Sequence, residues 1–304
     1  MITTPVKFPS FAKINWFLRI LGKRPDGYHE VVTVLQTISL HDELTIQLRE
    51  NGLIKLTCDD PTIPTGRDNL VLKAIELLTH GFQDSFGAEI ELRKRIPAMG
   101  GLGGASSNAA VTLQAINHLW KSANIDVEPA SLGADVPFFF HGGRCAATGT
   151  GTDLTPLPDG PRQYLIVITP NARVSTKEAY ASLNSATLTT SDSASILSSS
   201  LADLNSAGSR QWPLRNDFER VIFEIEPEIE RAKSALLDAG AWGALLAGSG
   251  SSVFGVFEGE AARNRGLENL KSEAGWRIFS CETISREEYV RAMNSSGFSL
   301  FTLS

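Results

Sequence analysis

Between Ile96 and Ala110 the chain reads Ile-Pro-Ala-Met-Gly-Gly-Leu-Gly-Gly-Ala-Ser-Ser-Asn-Ala-Ala, with Gly100, Gly101, Gly103 and Gly104 inside five positions. Glycine lacks a Cβ, so it reaches backbone angles other residues avoid and lets another group approach the main chain closely. Ser106, Ser107 and Asn108 are residue types that cap helix starts. Ala109, Ala110, Leu113, Ile116, Leu119 and Trp120 follow as an apolar stripe at helical spacing. The stretch predicts a glycine loop feeding straight into a helix. Free backbone N–H groups and the positive end of the helix dipole then face one point, which suits an anion such as a phosphate. No Asp or Glu occurs between Glu91 and Asp126, while Arg93, Lys94 and Arg95 stand just upstream. Read along the chain, the neighbourhood of the loop is cationic.

Two familiar nucleotide loops do not fit. A Walker A loop needs Lys and then Ser or Thr directly after its last glycine, and here Ala105 and Ser106 follow Gly104. A dinucleotide fingerprint needs a third glycine three positions after Gly103, and that residue is Ser106.

The 304 residues allow one large or two ordinary domains, and 42% hydrophobic with 20% charged residues is the balance of a globular protein with a real core. A net charge of −6 argues against nucleic-acid and membrane-surface partners, which usually demand a basic face. Cys58, Cys145 and Cys281 are scattered, forming neither a metal pattern nor a disulfide framework. They fit a reducing cytoplasm, the expected location. The N-terminal Met-Ile-Thr-Thr-Pro-Val-Lys has no apolar signal-peptide core, and no apolar run is long enough for a bilayer.

Residues 11–20 alternate, with Ala12, Ile14, Trp16, Leu18 and Ile20 on one face and Lys13, Asn15 and Arg19 on the other. That predicts a strand with one buried face, Lys13 and Asn15 pointing the same way. A turn-rich segment, 22–29, ends in the aromatic pair Tyr28 and His29, which suits stacking on and hydrogen bonding to a planar base. Two strands at 31–40 and 43–48 are expected, joined by a short polar turn, then strands at 53–58 and 88–94 around a helix at 69–79. In the segment 132–140 Asp135 stands between a small Gly-Ala pair and a strongly apolar run. A carboxylate there either caps a helix or has a charged partner. Gly142, Gly143, Gly149 and Gly151 mark turns. The segment 156–161 reads as a domain linker, giving domains at 1–158 and 159–304. Beyond it come a buried strand at 163–169, a Ser-rich segment at 182–209, an amphipathic helix at 224–239, and segments at 243–250, 253–258 and 276–281 that frame a second α/β layer with a helix near 261–271.

Taken together, five segments resemble the GHMP kinases: Ala12-Lys13-Ile14-Asn15, Arg24-Pro25-Asp26-Gly27-Tyr28-His29, the loop from Pro97 to Asn108, Gly133-Ala134-Asp135-Val136-Pro137-Phe138, and Asn216-Asp217-Phe218-Glu219. They run in that family's order across most of the chain. The resemblance implies an α+β fold of two domains, an N-terminal ribosomal-protein-S5-like nucleotide domain and a C-terminal ferredoxin-like layer, with the active site in the cleft between them. It implies an ATP-dependent alcohol kinase using Mg²⁺, with Lys13 and Asp135 as catalytic residues. Pro97, Ala98, Met99, Gly100, Gly101, Leu102, Gly103, Gly104, Ala105, Ser106 and Ser107 match the ATP phosphate loop, and Ser107 is a candidate metal contact. Asn15, Tyr28, His29, Tyr180, Gly248 and Ser249 match substrate-side positions. The Tyr28-His29 segment points to the branch acting on a small cytidine-diphosphate-linked alcohol, in a monomer or homodimer. The readings left standing beside it are another small-alcohol kinase of the family and a nucleotide-binding module without catalysis. The chain departs from the family pattern at Ala105, where a third glycine is usual, and at Met99, where the run before Leu102 usually has glycine. A positive φ at Ala105 would strain the loop.

Overall fold

The computed structural model describes residues 4–79, 87–120, 127–183, 196 and 214–295. Most of the Ser-rich segment at 182–209 lies outside them. The first layer is a seven-stranded sheet. It is organised around two long antiparallel strands, β1 (Val6–Lys23) and β2 (His29–Arg49). One edge of β2 serves two partners in turn. Its Glu43–Arg49 half pairs with β4 (Gly87–Arg93), and its Thr33–Gln36 stretch pairs with β5 (Arg144–Thr148). The strand β3 (Ile54–Cys58) adds to β4 in parallel, and β6 (Asp153–Leu157) closes on β5.

The two strands expected at 31–40 and 43–48 are thus one. The polar residues between them do not turn the chain. His41 continues the ladder opposite Phe11, and a register shift opposite Phe11 and Ala12, where Ser39 and Leu40 of β2 are the unmatched residues, absorbs the irregularity. β1 also departs from the expectation of a single buried face, since Lys13, Asn15 and Phe17 are buried along with Ile14 and Trp16. Both of its sides are covered. The helices α1 (Leu70–Thr79) and α2 (Gly104–Trp120) pack on the half of the sheet that contains Phe8 and Phe11, through Val71, Ile75, Val111 and Leu113.

The second layer is a four-stranded antiparallel sheet in the order β11-β7-β10-β9. Its strands are β7 (Tyr164–Thr169), β9 (Gly243–Leu246), β10 (Val253–Phe257) and β11 (Arg277–Glu282). Period-two alternation explains its two buried faces. Leu165 and Val167 of β7 look towards Ile14, Trp16, Val34 and Ile38 of the first sheet, while Ile166 and Ile168 look towards a helical layer. That layer contains α3 (Thr176–Ala181), α4 (Glu219–Ile225), α5 (Pro227–Asp238) and α6 (Glu260–Asn269). The single helix expected at 224–239 is interrupted at Glu226, and α5 starts on Pro227, whose ring is compatible only with a first helical turn.

Two pieces of the C-terminal half return to the first sheet. β8 (Arg215–Asn216) pairs in parallel with Phe17 and Leu18 of β1. After β11, α7 (Arg286–Met293) seats Tyr289, Val290 and Met293 in the first core, with the Tyr289 hydroxyl donating to the carbonyl of Phe139 at 2.6 Å. Trp16 and Phe254 meet edge to face at the sheet–sheet boundary, ring centroids 5.6 Å apart. Phe254→Ala should lower the free energy of unfolding by about 3–5 kcal/mol, the usual loss for truncating a fully buried phenylalanine. Denaturant titration checks this.

Candidate active site

The glycine loop is pressed between the two sheets. Gly101 has φ +74° and lies against the 247–250 bend, where any Cβ would collide with the carbonyl of Ala247. The bend answers with backbone bonds: Ser252 N–H donates to Gly100 O at 3.2 Å and Ser251 N–H to Met99 O at 3.4 Å. The side chain of Asn216 fixes the bend from below, donating to the carbonyls of Leu246 and Gly248 at 2.9 and 2.7 Å. Gly248 is buried and Ser249 half-buried at its tip. The whole Asn216–Glu219 motif acts as a clasp. Asp217 accepts from Ile20 N–H of β1, and Glu219 accepts from Leu246 N–H. The resemblance had assigned these residues no role.

Helix α2 begins at Gly104, earlier than the expected Ser and Asn caps. Ser107 and Asn108 lie inside the first turns and are buried. Ser10 of β1 donates to Asn108 Oδ1 at 2.7 Å and lies 2.8 Å from the Ser107 hydroxyl. Ser107 therefore faces the sheet, with its hydroxyl engaged by Ser10. Ser106 is half-buried and Ala105 exposed. Ala105 is helical, so the strain feared there does not arise. The left-handed angles fall on Gly101, Gly103 and Met99, and Met99 is the sole non-glycine with positive φ (+56°) among the described residues. Pro97 and Gly100 are buried, and Ala98 and Met99 exposed.

Lys13 sits beneath this loop. Its backbone N–H donates to Leu102 O at 2.9 Å, and a Cβ on Gly103 would come within 3.0 Å of its Cγ. The Lys13 ammonium is buried, donates to Asn15 Oδ1 at 2.9 Å and stands 3.4 Å from Asp135 Oδ2. Asp135, half-buried between two short helical turns (Pro129–Leu132 and Pro137–Phe140), thus has the charged partner and not the helix-capping role. Asn15 is buried with both ends of its amide engaged, since Nδ2 donates to Thr33 Oγ1 at 2.8 Å, so it faces Lys13. Thr33 completes the chain by donating to Phe17 O at 2.6 Å. Nothing in the sequence pattern singles out Thr33, because its partner is set by strand register.

Beside Asp135 opens a cavity of about 580 Å³ lined by Lys23, Tyr28, His29, Ala134, Thr150 and Tyr180, among others. Tyr28 is largely exposed. His29 stacks on Tyr180 with centroids 4.8 Å apart, and Phe218 meets Tyr180 edge to face at 4.9 Å. Burial, and then the neighbouring Lys23 charge, lowers the His29 pKa below its usual 6.5. The ring is therefore neutral at pH 7, with one nitrogen donating and one accepting. Burial, helped by Asp135, pushes the Tyr180 phenol up to about 12. A neutral donor–acceptor ring and aromatic side chains thus wall this space, which reaches Ala134, the residue before Asp135.

The family models "GHMP kinases N terminal domain" and "GHMP kinases C terminal" match residues 69–145 and 194–275. The chain is 38% identical over 277 residues to a 4-diphosphocytidyl-2-C-methyl-D-erythritol kinase of Citrifermentans bemidjiense, covering 90% of this chain and 97% of that protein. It is 38% identical over 287 residues to the protein of the same name from Solibacter usitatus, covering 92% and 89%. Among solved structures, a 4-(cytidine 5'-diphospho)-2C-methyl-D-erythritol kinase superposes with TM-score 0.74 at 31% identity, over 91% of this chain and 98% of that one. A homoserine kinase from Cytophaga hutchinsonii shares the fold, with TM-score 0.68 at 18% identity over 93% and 95%.

Met99 and Gly101 predict opposite responses. Met99→Gly relieves a left-handed side chain and should raise the unfolding free energy by about 0.5–1 kcal/mol, the strain outweighing the entropy a glycine adds to the unfolded chain. Gly101→Ala should lower both stability and activity. Thermal melts of the two variants beside the parent check the pair.

Proposed function

The chain belongs to the GHMP kinase family, and we propose that it transfers the γ-phosphoryl group of ATP to the C2 hydroxyl of 4-diphosphocytidyl-2-C-methyl-D-erythritol, a step towards isoprenoid precursors outside the mevalonate route. The observation that carries this reading is the 3.4 Å approach of Lys13 to Asp135 beside the glycine loop. Two residues far apart in sequence meet where a terminal phosphate would lie. The similarity to proteins of that name, over nine-tenths of the chain, supports the choice of substrate.

Phosphoryl transfer relies mostly on positioning and charge stabilisation. Asp135 accepts the proton of the attacking hydroxyl. Lys13, held by Asn15 and the loop carbonyl of Leu102, keeps Asp135 oriented and bears on the negative charge of the transferring group. Asn15 therefore serves the substrate through Lys13. The N–H groups between Gly100 and Ser106 hold the nucleotide phosphates. The cytidine occupies the Tyr28–His29–Tyr180 cavity. There the neutral His29 ring matches the adjacent acceptor and donor on the cytosine edge, and the base takes aromatic contact in exchange for the His29–Tyr180 stack.

The side chains present suit a magnesium ion carried by the nucleotide. No cluster of three His, Cys, Asp or Glu groups occurs among the described residues. Mg²⁺ is commonly held by one or two carboxylates, with phosphate and water oxygens completing its shell. Asp135 is the carboxylate at hand. When bound, the ion neutralises phosphate charge.

The direct test is ADP release with ATP and the cytidine substrate, with phosphorus NMR locating the new phosphate. Turnover of homoserine or mevalonate instead would give the reaction to another branch of the family. Asp135→Asn should lower kcat by about 10²-fold or more, the usual size of a lost general base, with ATP affinity nearly intact. His29→Ala should raise the KM of the cytidine substrate and spare that of ATP. Because the His29 pKa is depressed, the ring stays neutral at and above its ordinary 6.5. The cytidine KM should therefore be level at neutral pH and rise on acidification below 6.5. A pH series on the parent and on His29→Gln checks this, since the glutamine variant should lose that acid limb.

A further inference from the structure

The acid-free window around the glycine loop exists only along the chain. In three dimensions a carboxylate from β2 stands at the loop's entrance. Asp42 is fully buried, a costly place for a charge unless it is well bonded. Its Oδ2 takes the Lys94 ammonium at 2.5 Å, and its Oδ1 takes the backbone N–H groups of Arg95 and Ile96 at 2.7 and 2.8 Å. The preceding N–H, that of Lys94, is taken by Asp59 Oδ1 at 2.8 Å. Three successive amides between β4 and the loop thus end on two carboxylates. From the second sheet, Arg277 donates to the carbonyl of Arg95 at 3.0 Å.

We propose that Asp42 is a positioning residue for the nucleotide, seating the start of α2 by pinning residues 94–96; this rests on the kinase reading above. The link is steric. Gly104, the first residue of α2, lies so close to the pinned segment that a Cβ there would stand 2.9 Å from Ile96 Cγ2 and 3.2 Å from the Lys94 ammonium. The opposite side of the loop rests on the 247–252 bend. Residues 94–96 are therefore the floor that sets how far the helix-start N–H groups stand from Lys13 and Asp135. An error of about 1 Å in such a placement is enough to cost a large factor in rate. Lys94 is largely neutralised by Asp42, so the device works through placement and not through added positive charge.

The test is titration calorimetry of the full chain with ATP alone, and separately with the cytidine substrate. Asp42→Leu keeps the bulk but removes the acceptors, and should raise the ATP Kd at least tenfold while leaving the Kd of the cytidine substrate within twofold. Asp42→Asn with Lys94→Met restores an acceptor for the two amides and leaves no lone ammonium. It should bring the ATP Kd back to within threefold of the parent. An Asp42→Leu protein that binds ATP as the parent does, or that loses both ligands equally, overturns the proposal. So does a double variant that folds and shows no recovery. If Asp42→Leu does not fold, the exposed Asp59→Ala decides, with about a threefold rise in ATP Kd expected and an unchanged Kd counting against the proposal. A parent protein that fails to bind ATP would overturn the kinase reading itself.

Discussion

One buried ammonium holds the architecture of the site together. Lys13 lies in the middle of β1, beneath the loop that leads into α2 and beside a carboxylate from the segment between two short helical turns. Removing a cation from water costs several kcal/mol, and the site offsets this with an amide oxygen, a carboxylate and a fixed backbone around it. These partners come from separate parts of the chain: Asn15 two residues on, Leu102 in the loop and Asp135 beyond α2. Asn15 and Asp135 pair the charge itself, and the Leu102 carbonyl fixes the backbone that carries it. The same requirement explains why the loop needs glycine above Lys13, because the stem of the lysine passes within contact distance of Gly103.

Much of this was legible in the residues, and what was not has identifiable causes. The loop-to-helix transition, the strand over 11–20 and the buried 163–169 strand follow from local period and composition and appear where expected, although β1 is covered on both faces and not on one. The pairing of Lys13 with Asp135 could be suspected because a carboxylate beside an apolar run needs a partner. β2 could not be read as one strand, because His41 and Asp42 look like turn residues until the donors that satisfy Asp42 are seen arriving from residues 94–96. Ser107 and Asn108 look like helix caps for a similar reason: sequence displays their polarity and not the Ser10 hydroxyl that uses it. β8, two residues long, carries no periodic signal at all. The strained position also moved. Departure from a glycine pattern at Ala105 proved harmless, since that residue is helical, and the left-handed angle fell on Met99.

The aromatic cavity shows how neighbouring groups divide their work by environment. His29 and Tyr180 touch, yet burial lowers the basicity of one and raises the pKa of the other. Both end up uncharged at neutral pH, so these two rings present hydrogen-bonding edges and flat faces, and the charge in the cavity lining comes from Lys23. Charge is concentrated a short way off, at Lys13 and Asp135. A ligand with a flat polar head and an anionic tail meets each chemistry in turn.

The two sheets are also sewn to one another more than once. Besides the covalent passage at 158–163, β8 adds to the edge of β1. The stretch after β11 bonds to β2 through Ile284 N–H to Thr37 O and Gln36 to Ile284 O, before α7 enters the first core. Opening the molecule like a book would have to undo all of these fastenings at once. Parting the sheets would break the β8–β1 pairing and the bonds of Ile284 to Thr37 and Gln36 together, so the spacing of the walls is set by hydrogen bonds as well as by packing.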